Sequence, residues 1–315
     1  MTGIPMTSKT SWDEVVNHVA DQIEARIRGF NRNDFVKWYS TKEYVGKPFD
    51  WYLIYTAYKI QKRLRNDYDN LVLITGLEGS GKSTLGINFS SLIDEKFNED
   101  NVGIDEVKAF NLLRDSKKYS SVLLDEGGNL MFSREAMKTQ NRDLMKLFML
   151  MRARNLNIVV CIPNFYMVDS YIRQHRVNLL LHVKERGEYR LFTRDGIKDL
   201  NDWGNMKKGV MGVRIKAYKF HDGLFNKGIP KNFNYQNYLA MKDLYISSAF
   251  KGNKLQNDPI YEGARLVPLQ KLTQALGLKN KTMIWRLLKI GEIKGKKIAG
   301  KWFVSREDYE KLVKV

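Results

Sequence analysis

The chain has 315 residues, 43% of them apolar and six of them proline, enough for one large domain with a small one attached and too little proline for long structureless linkers. Fifty-three Lys+Arg against 35 Asp+Glu leave a formal charge of +18, an excess that points to a polyanionic partner, nucleic acid above all, with a merely soluble basic protein as the plainer reading. One cysteine, Cys161, excludes an internal disulfide and a Cys-rich zinc site.

The N-terminal stretch MTGIPMTSKTSWDE has no apolar segment of secretory type. The most apolar helical stretch, LMKLFMLM at 144–151, is far short of a bilayer span, and no basic amphipathic helix offers a membrane a strongly apolar face. The expectation is a cytoplasmic protein without a membrane partner. Residues 1–68 read as a helical region. SWDE (11–14) has capping-box form, and Val15, Val16, Val19, Ile23 and Ile27 follow at helical spacing. A second helix is predicted from Phe49 to Arg65, aromatic early and basic late, its KIQKRLR end reading as a solvated terminus.

From Leu71 onward strands and helices alternate. LVLITG reads as a strand, KSTLGINFSSLI as a helix, VGI (102–104) as a brief strand and VKAFNLLRDSKK as a helix. SSVLLDE is a strand, MKTQNRDLMKLFMLMRAR a long helix, and LNIVVCIPN a strand that buries Cys161; VNLLLHVKE and EYRLFTRD follow as apolar and strand-like runs. Alternation of this kind predicts an α/β fold with a mostly parallel sheet and helices on both faces. Residues 200–262 are basic and rich in Tyr, Phe and Asn, with strand signals in VMGVRIKAYKF and no assignable fold.

GLEGSGKST (76–84) satisfies the phosphate-loop pattern G-x-x-x-x-G-K-[ST], with a strand before it and a helix after it. Gly76, Gly79 and Gly81 let backbone N–H groups of the loop, Ser80 included, turn toward phosphate oxygens, and the helix that begins near Lys82 and runs through Thr84 adds its partial positive charge. Lys82 is placed to reach the β- and γ-phosphates of ATP, and the Ser83 hydroxyl to bind Mg2+. The strand in SSVLLDEGG delivers Asp125 and Glu126 to the C-terminal edge of the sheet, where ligands collect. Asp125 is the candidate Mg2+ carboxylate, acting through the ion's water shell, and Glu126 the candidate base for a water attacking the γ-phosphate. A kinase has no need of that second carboxylate, so Glu126 favours hydrolysis. Asn164, at the end of NIVVCIPNF, either senses the γ-phosphate or caps the turn after Pro163. Arg152 and Arg154 close the long helix: they either reach a neighbouring subunit's nucleotide as trans-acting fingers or neutralise the helix C-terminus. Arg134, Arg173 and Arg176 are further candidates for the finger.

A phosphate loop, an Asp-Glu pair ending a strand, a long helix ending in arginines and a strand ending in a polar amide resemble the RecA-like additional-strand P-loop ATPases. Within these, LLDEGGNLMFSREA and LMRARNLNIVVCIPNF are most similar to the Zot-like and FtsK–HerA DNA-pumping ATPases of phages, viruses and mobile elements. The resemblance covers about residues 69–195 and implies a ring that hydrolyses ATP and moves double-stranded DNA. Members of that branch usually carry Gln where this chain has Asn164.

The C-terminal stretch reads as helix (PLQKLTQAL), turn, helix (KTMIWRLLKIG), hairpin (IKGKKIAGKWFV) and a capped helix from Ser305. This order resembles the winged helix-turn-helix of excisionases and the MerR-like group, over residues 265–315. That segment holds 13 Lys+Arg against 4 Asp+Glu, a net +9. Lys279, Lys281, Thr282 and Arg286 would lie on the recognition helix for the major groove, and Lys296, Lys297 and Lys301 on the wing for phosphates. Leu272, Leu276, Ile284, Leu287 and Leu288 read as core, as does Trp302, while Trp285 fits either place. The bland alternative is a basic docking module that never touches DNA.

The expected domains are a helical region at 1–68, a P-loop ATPase core at 69–199, a basic aromatic-rich extension at 200–262 and the winged helix at 263–315. The expected function is a DNA-associated, Mg2+-dependent ATPase. The first reading is an oligomeric motor that moves or packages DNA, with a portal or replication protein as a further partner. The alternatives are a replication or transposition accessory ATPase of helicase-loader type, and an ATP-switched DNA-binding regulator or partition protein.

Overall fold

Seven residues, NLVLITG, form the central strand β1 (Asn70–Gly76), buried along its whole length. Burial on both faces follows from its near-continuous apolar run, the signature of a parallel strand covered on either side. The structure is a computed structural model that describes residues 10–46, 50–125, 151–206, 220–250, 266–276, 284, 287–288, 292–293, 295–298 and 301–313. The chain divides into two units, Met1–Lys242 and Asp243–Val315.

In the first unit β1 is joined by β2 (Val102–Gly103), β3 (Ser121–Asp125), β4 (Asn157–Cys161), β5 (Leu179–Glu185), β6 (Glu188–Phe192) and β7 (Phe220–Leu224) in a sheet of order β2-β3-β4-β1-β5-β6-β7. The first five in that order pair in parallel, and β6 and β7 are antiparallel additions at one edge. This is the mostly parallel α/β sheet the sequence predicts. β4 stands between the strand entering the glycine loop and the strand ending in Asp125.

At the N-terminal edge Asn70 donates to Asn157 across 2.8 Å, and Asn157 to Ser121 across 3.0 Å, a buried polar ladder joining β1, β4 and β3. Helix α4 (Lys82–Ile93) lies directly on the sheet: a Cβ on Gly86 would stand 2.8 Å from Leu123 Cδ1 and 3.3 Å from Cys161 Sγ. Helices α5 (Glu106–Asp115), α6 (Ser170–His175) and α7 (Arg194–Met206) complete the described core, with Leu113, Ile172, Ile197 and Leu200 buried in a cluster with Leu71, Val122 and Ile158.

The N-terminal region is helical: α1 (Trp12–Glu24), α2 (Arg32–Tyr39) and α3 (Trp51–Arg65). The capping box at SWDE has both its bonds, Glu14 N–H to Ser11 Oγ at 3.3 Å and Ser11 N–H to Glu14 Oε2 at 2.9 Å. Helix α3 begins at Trp51 because Asp50 caps it, accepting from the Tyr52 N–H at 2.9 Å; Phe49 lies outside the described residues. At its basic end Lys62 pairs with Asp34 at 2.8 Å. The buried Lys42 meets Glu95 at 2.6 Å and the Tyr44 hydroxyl donates to the Ser91 carbonyl at 2.7 Å, which fastens the segment after α2 to α4 and the turn beyond it.

One expectation is corrected, and one segment left open gains structure. EYRLFTRD is strand only through Phe192; Thr193 accepts at its carbonyl from the Ile197 N–H at 2.9 Å and the chain turns into α7. The extension also contains regular structure: β7, and helix α8 (Tyr235–Phe250), which runs across the division between the units. Of VMGVRIKAYKF only Phe220 is described, as the first residue of β7.

The second unit has a three-stranded sheet of order β8-β10-β9, built from β8 (Leu266–Pro268), β9 (Gly295–Ile298) and β10 (Lys301–Ser305). Helices α9 (Leu269–Ala275) and α10 (Arg306–Val313) accompany it, and Ile284, Leu287 and Leu288 are helical as well. Leu269, Leu272, Ile284, Ile293 and Val304 form its core, with Leu276, Leu287, Leu288 and Trp302 packed against them. None of the described helices is long and apolar enough to cross a membrane.

Candidate nucleotide site

β1 ends at Gly76 with φ 146°, where a Cβ would lie 2.6 Å from the Val183 carbonyl oxygen, so no other residue fits without displacing β5. Gly79 (φ 72°) and Gly81 (φ 100°) carry the loop through two more left-handed positions. Gly81 then serves as the N-cap of α4, and no side chain caps that end. The first-turn N–H groups and the helix dipole therefore face the loop's concavity, as an anion site requires. A cavity of about 710 Å³ opens there, within the usual size of a small-molecule site. Loop residues 78–84 line it together with Asp125, Cys161 and groups from more distant parts of the chain.

Lys82 extends over the loop, its ammonium donating to the Gly76 carbonyl at 3.0 Å and the Leu77 carbonyl at 2.8 Å. Ser83 donates its hydroxyl to Asp125 Oδ1 at 3.0 Å. The other oxygen, Oδ2, accepts from the Tyr238 hydroxyl at 2.5 Å and the Lys242 ammonium at 3.1 Å, both on α8. Asp125 is only 2% exposed, and a carboxylate so far from water needs such partners. Burial and the charge of Asp125 push the Tyr238 phenol well up, so it stays a hydrogen-bond donor. Burial, with Asp125 next, pushes the Cys161 thiol up as well; it is a neutral wall of the cavity, at the end of β4.

Among the described residues no group of three His, Cys, Asp or Glu could hold a metal ion by itself. Ser83 and Asp125 beside a phosphate cradle fit the other mode, in which Mg2+ is shared between one carboxylate, waters and substrate phosphates. Oδ2 of that carboxylate is paired with the Lys242 ammonium at 3.1 Å.

The remaining sequence candidates fall in several places. Gly76, Gly79, Ser80, Gly81, Lys82, Ser83, Thr84 and Asp125 are brought together, and Glu126 lies outside the described residues. Asn164 is used as a cap: its Oδ1 accepts from the Tyr166 N–H at 2.9 Å. Arg152 is exposed and Arg154 half-buried, just before β4 begins, so they stand at the edge of the sheet opposite the glycine loop of their own chain. Arg154 donates to the Ser116 carbonyl at the end of α5. Arg173 is buried, donating to Val168 and Asn201, and Arg176 pairs with Asp69. Arg134 lies outside the described residues. Lys296 and Lys297 lie on β9 and Lys301 on β10; Lys279, Lys281, Thr282, Trp285 and Arg286 lie outside the described residues.

Sequence reasoning missed further residues of the cavity, Arg186, Phe225, Lys227, Tyr238 and Lys242 among them. Arg186, in the β5–β6 turn, donates to the Gly79 carbonyl at 3.0 Å. Phe225 brings its ring edge to 3.6 Å of where a Gly81 Cβ would be, and Lys227 lines the wall beside it. Asn88, buried on α4, donates to the carbonyls of Asn226 and Gly228 at 3.2 and 2.8 Å and holds the loop after β7 in place. The signal available was the spacing of Tyr238 and Lys242, four apart behind the helix-capping residue Asn234.

A glycine loop between a parallel strand and a helix N-terminus, with an aspartate from a strand two places away at its mouth, defines the α/β fold of P-loop nucleoside triphosphatases. No family model and no curated protein matches the chain. Similar solved structures include the genome packaging NTPase B204 of Sulfolobus turreted icosahedral virus 2 in complex with ATP-gammaS, at 14% identity over 41% of this chain and 94% of that one, with a TM-score of 0.29. The N-terminal domain of zonular occludens toxin from Neisseria meningitidis is 17% identical over 50% of this chain and 94% of that one, TM-score 0.29. A Thermotoga maritima RuvB variant is 14% identical over 82% and 92%, TM-score 0.31.

Proposed function

We propose that this chain is an ATPase that uses Mg2+ and acts on double-stranded DNA, as an oligomeric motor moving or packaging DNA. The observation that carries the ATPase reading is the meeting of Ser83 and Asp125 at the mouth of the glycine loop, beside the N-terminus of α4. Lys82 turns from the loop carbonyls to the β- and γ-phosphate oxygens and steadies the charge that develops there. Ser83 and Asp125 would hold Mg2+, which when bound would neutralise charge on the phosphate oxygens. Glu126 accepts the proton of the water that attacks the γ-phosphorus, giving ADP and phosphate.

Support for DNA comes from charge. The chain carries +18 overall, and residues 265–315 hold 13 Lys+Arg against 4 Asp+Glu. In the second unit the hairpin β9–β10 carries Lys296, Lys297 and Lys301, suited to phosphate contacts as a wing. Arg152 and Arg154, at the edge of the sheet away from their own loop, are suited to a nucleotide only across a ring interface.

A second reading, a slow ATP-controlled switch or loader, is favoured by one feature: Asp125 is already engaged by Tyr238 and Lys242. ATP turnover with and without double-stranded DNA separates the two, with size measured on the same preparation in a non-hydrolysable analogue. Strong stimulation with ring formation supports the motor; slow turnover indifferent to DNA supports the switch; no turnover at all overturns both.

A further inference from the structure

Asp125 draws its counter-charge from an unexpected source. Lys82 is spent on the carbonyls of Gly76 and Leu77, and the cation on the carboxylate is Lys242, 3.1 Å from Oδ2. Tyr238, one turn earlier on α8, donates to the same oxygen at 2.5 Å. The two form one face of the helix, as positions four apart must. The start of α8 is fixed independently: the Asn234 N–H donates to Glu99 Oε2 at 3.1 Å, Asn237 reaches Oε1 at 3.5 Å, and Lys108 of α5 meets the Met241 sulfur at 3.2 Å. The Lys242 side chain is 21% exposed, the aspartate side chain 3%. The lysine thus spans from the open cavity to a nearly dry carboxylate, on a flexible four-carbon stem.

Two cations cannot share that oxygen at full strength. An ammonium 3.1 Å from Oδ2 repels a divalent ion brought to the same carboxylate, and in a site so shielded from water the repulsion is little screened. When the ion and a triphosphate arrive together, the terminal phosphate brings the displaced ammonium a new anion beside Ser83 and Asp125. A diphosphate lacks it.

Resting on the ATP reading of this site, we propose that Lys242 is a latch that exchanges Asp125 for the γ-phosphate: it holds the carboxylate against Mg2+ until a triphosphate gives it another partner. Tyr238 is a positioning residue that keeps Oδ2 turned toward α8. The site is thereby selective for triphosphate over diphosphate, through a residue of α8 and not of the glycine loop.

The test is binding of a fluorescent N-methylanthraniloyl ATP and of the corresponding ADP to the full chain, each titrated with Mg2+. The variants are Lys242→Gln, Lys242→Arg, Tyr238→Phe and Lys82→Ala. Lys242→Gln is expected to lower the half-saturating Mg2+ for ATP about tenfold and to reduce the preference for ATP over ADP by a similar factor, as removal of one charged hydrogen bond implies. Lys242→Arg should restore both, a rescue that a purely structural role would not produce. Tyr238→Phe should lower the Mg2+ requirement about threefold and leave the ATP preference unchanged, so the latch stays testable if Lys242→Gln does not fold. Unchanged or raised Mg2+ requirement in both Lys242→Gln and Tyr238→Phe overturns the latch while nucleotide binding at the loop stands. Wild-type binding that is absent, or that survives Lys82→Ala at full strength, overturns the nucleotide reading itself and the latch with it.

Discussion

Ser83 and Asp125, 42 positions apart, meet at 3.0 Å. One comes from the first turn of α4 and the other from the last residue of β3, and their contact puts a hydroxyl and a carboxylate on the same side of the phosphate cradle. Ser83→Ala removes only an oxygen from a position where α4 is otherwise intact. The expected outcome is a Mg2+-dependent rate that falls at least about a hundredfold with an unchanged melting temperature, checked by ATP turnover over a Mg2+ titration and by thermal unfolding.

Lys82→Ala should weaken ATP binding by about 10- to 100-fold, the value of one or two charge-assisted hydrogen bonds. Equilibrium binding of ATP measures it, and affinity within twofold of wild type would remove Lys82 from the site.

Glu126→Gln keeps the size of the side chain and discards its basicity. ATP should bind with little change while kcat falls by about 10²–10⁴. Single-turnover hydrolysis with a parallel binding assay reads both quantities, and normal turnover would take the water-activating role away from Glu126.

Arg190 clamps Asp222 between β6 and β7 with two bonds, Nε to Oδ1 and Nη2 to Oδ2, each 2.7 Å. The hydrogen bonds from Arg190 hold the Asp222 carboxyl below its ordinary 3.8. Because the folded value is the lower one, the pair stabilises the fold above pH 3.8, and that contribution is lost as pH falls through the folded value. Asp222→Asn should therefore cost about 1–2 kcal/mol at neutral pH, with wild type and variant converging in acid. Urea unfolding at a series of pH values tests the sign as well as the size.

Removing residues 265–315 should weaken binding to double-stranded DNA and flatten its dependence on salt, since each lost phosphate contact takes about 0.9 from the slope of log K against log salt. Unchanged affinity and slope would place DNA binding, if any, in the first unit.

The glycine loop and the strand leading into it were legible because their constraints are local. Gly76 must be glycine where the chain passes 2.6 Å from where a Cβ would strike Val183, and the pattern announces that need directly. Asp125 was legible for the same reason, ending a short apolar strand. The direction of β6 was not, since alternation along a strand carries no information about its neighbour. Yet the two residues between β5 and β6, Arg186 and Gly187 with φ 95°, are a hairpin signal that could have been read. Helix α8 escaped for a deeper reason. Tyr238 and Lys242 act on a carboxylate 113 and 117 positions away, in a helix where apolar and polar residues are interspersed around the axis, so their spacing of four behind Asn234 is the one mark the sequence gives them, and it does not point to Asp125. Asn164 illustrates the opposite case: both its sensor and its capping roles follow from the sequence, and the 2.9 Å bond to Tyr166 gives it the second.

The ladder of Asn70, Asn157 and Ser121 lies at the far edge of the sheet from the phosphate cradle, and it bears on how the site tolerates change. Apolar strands buried on both faces have little to tell one alignment from the next. These three polar side chains, each needing its partner, set the zero of a common scale. Counting from it, four residues up β1, β4 and β3 bring Ile74, Cys161 and Asp125 level, about 13 Å away at strand rise. The apolar residues in between can be exchanged for one another without moving that mark. Adding or removing a single residue cannot be tolerated in the same way, because it would turn Asp125 to the opposite face and part it from Ser83. What the sheet conserves for the site is therefore a number of residues more than their identity.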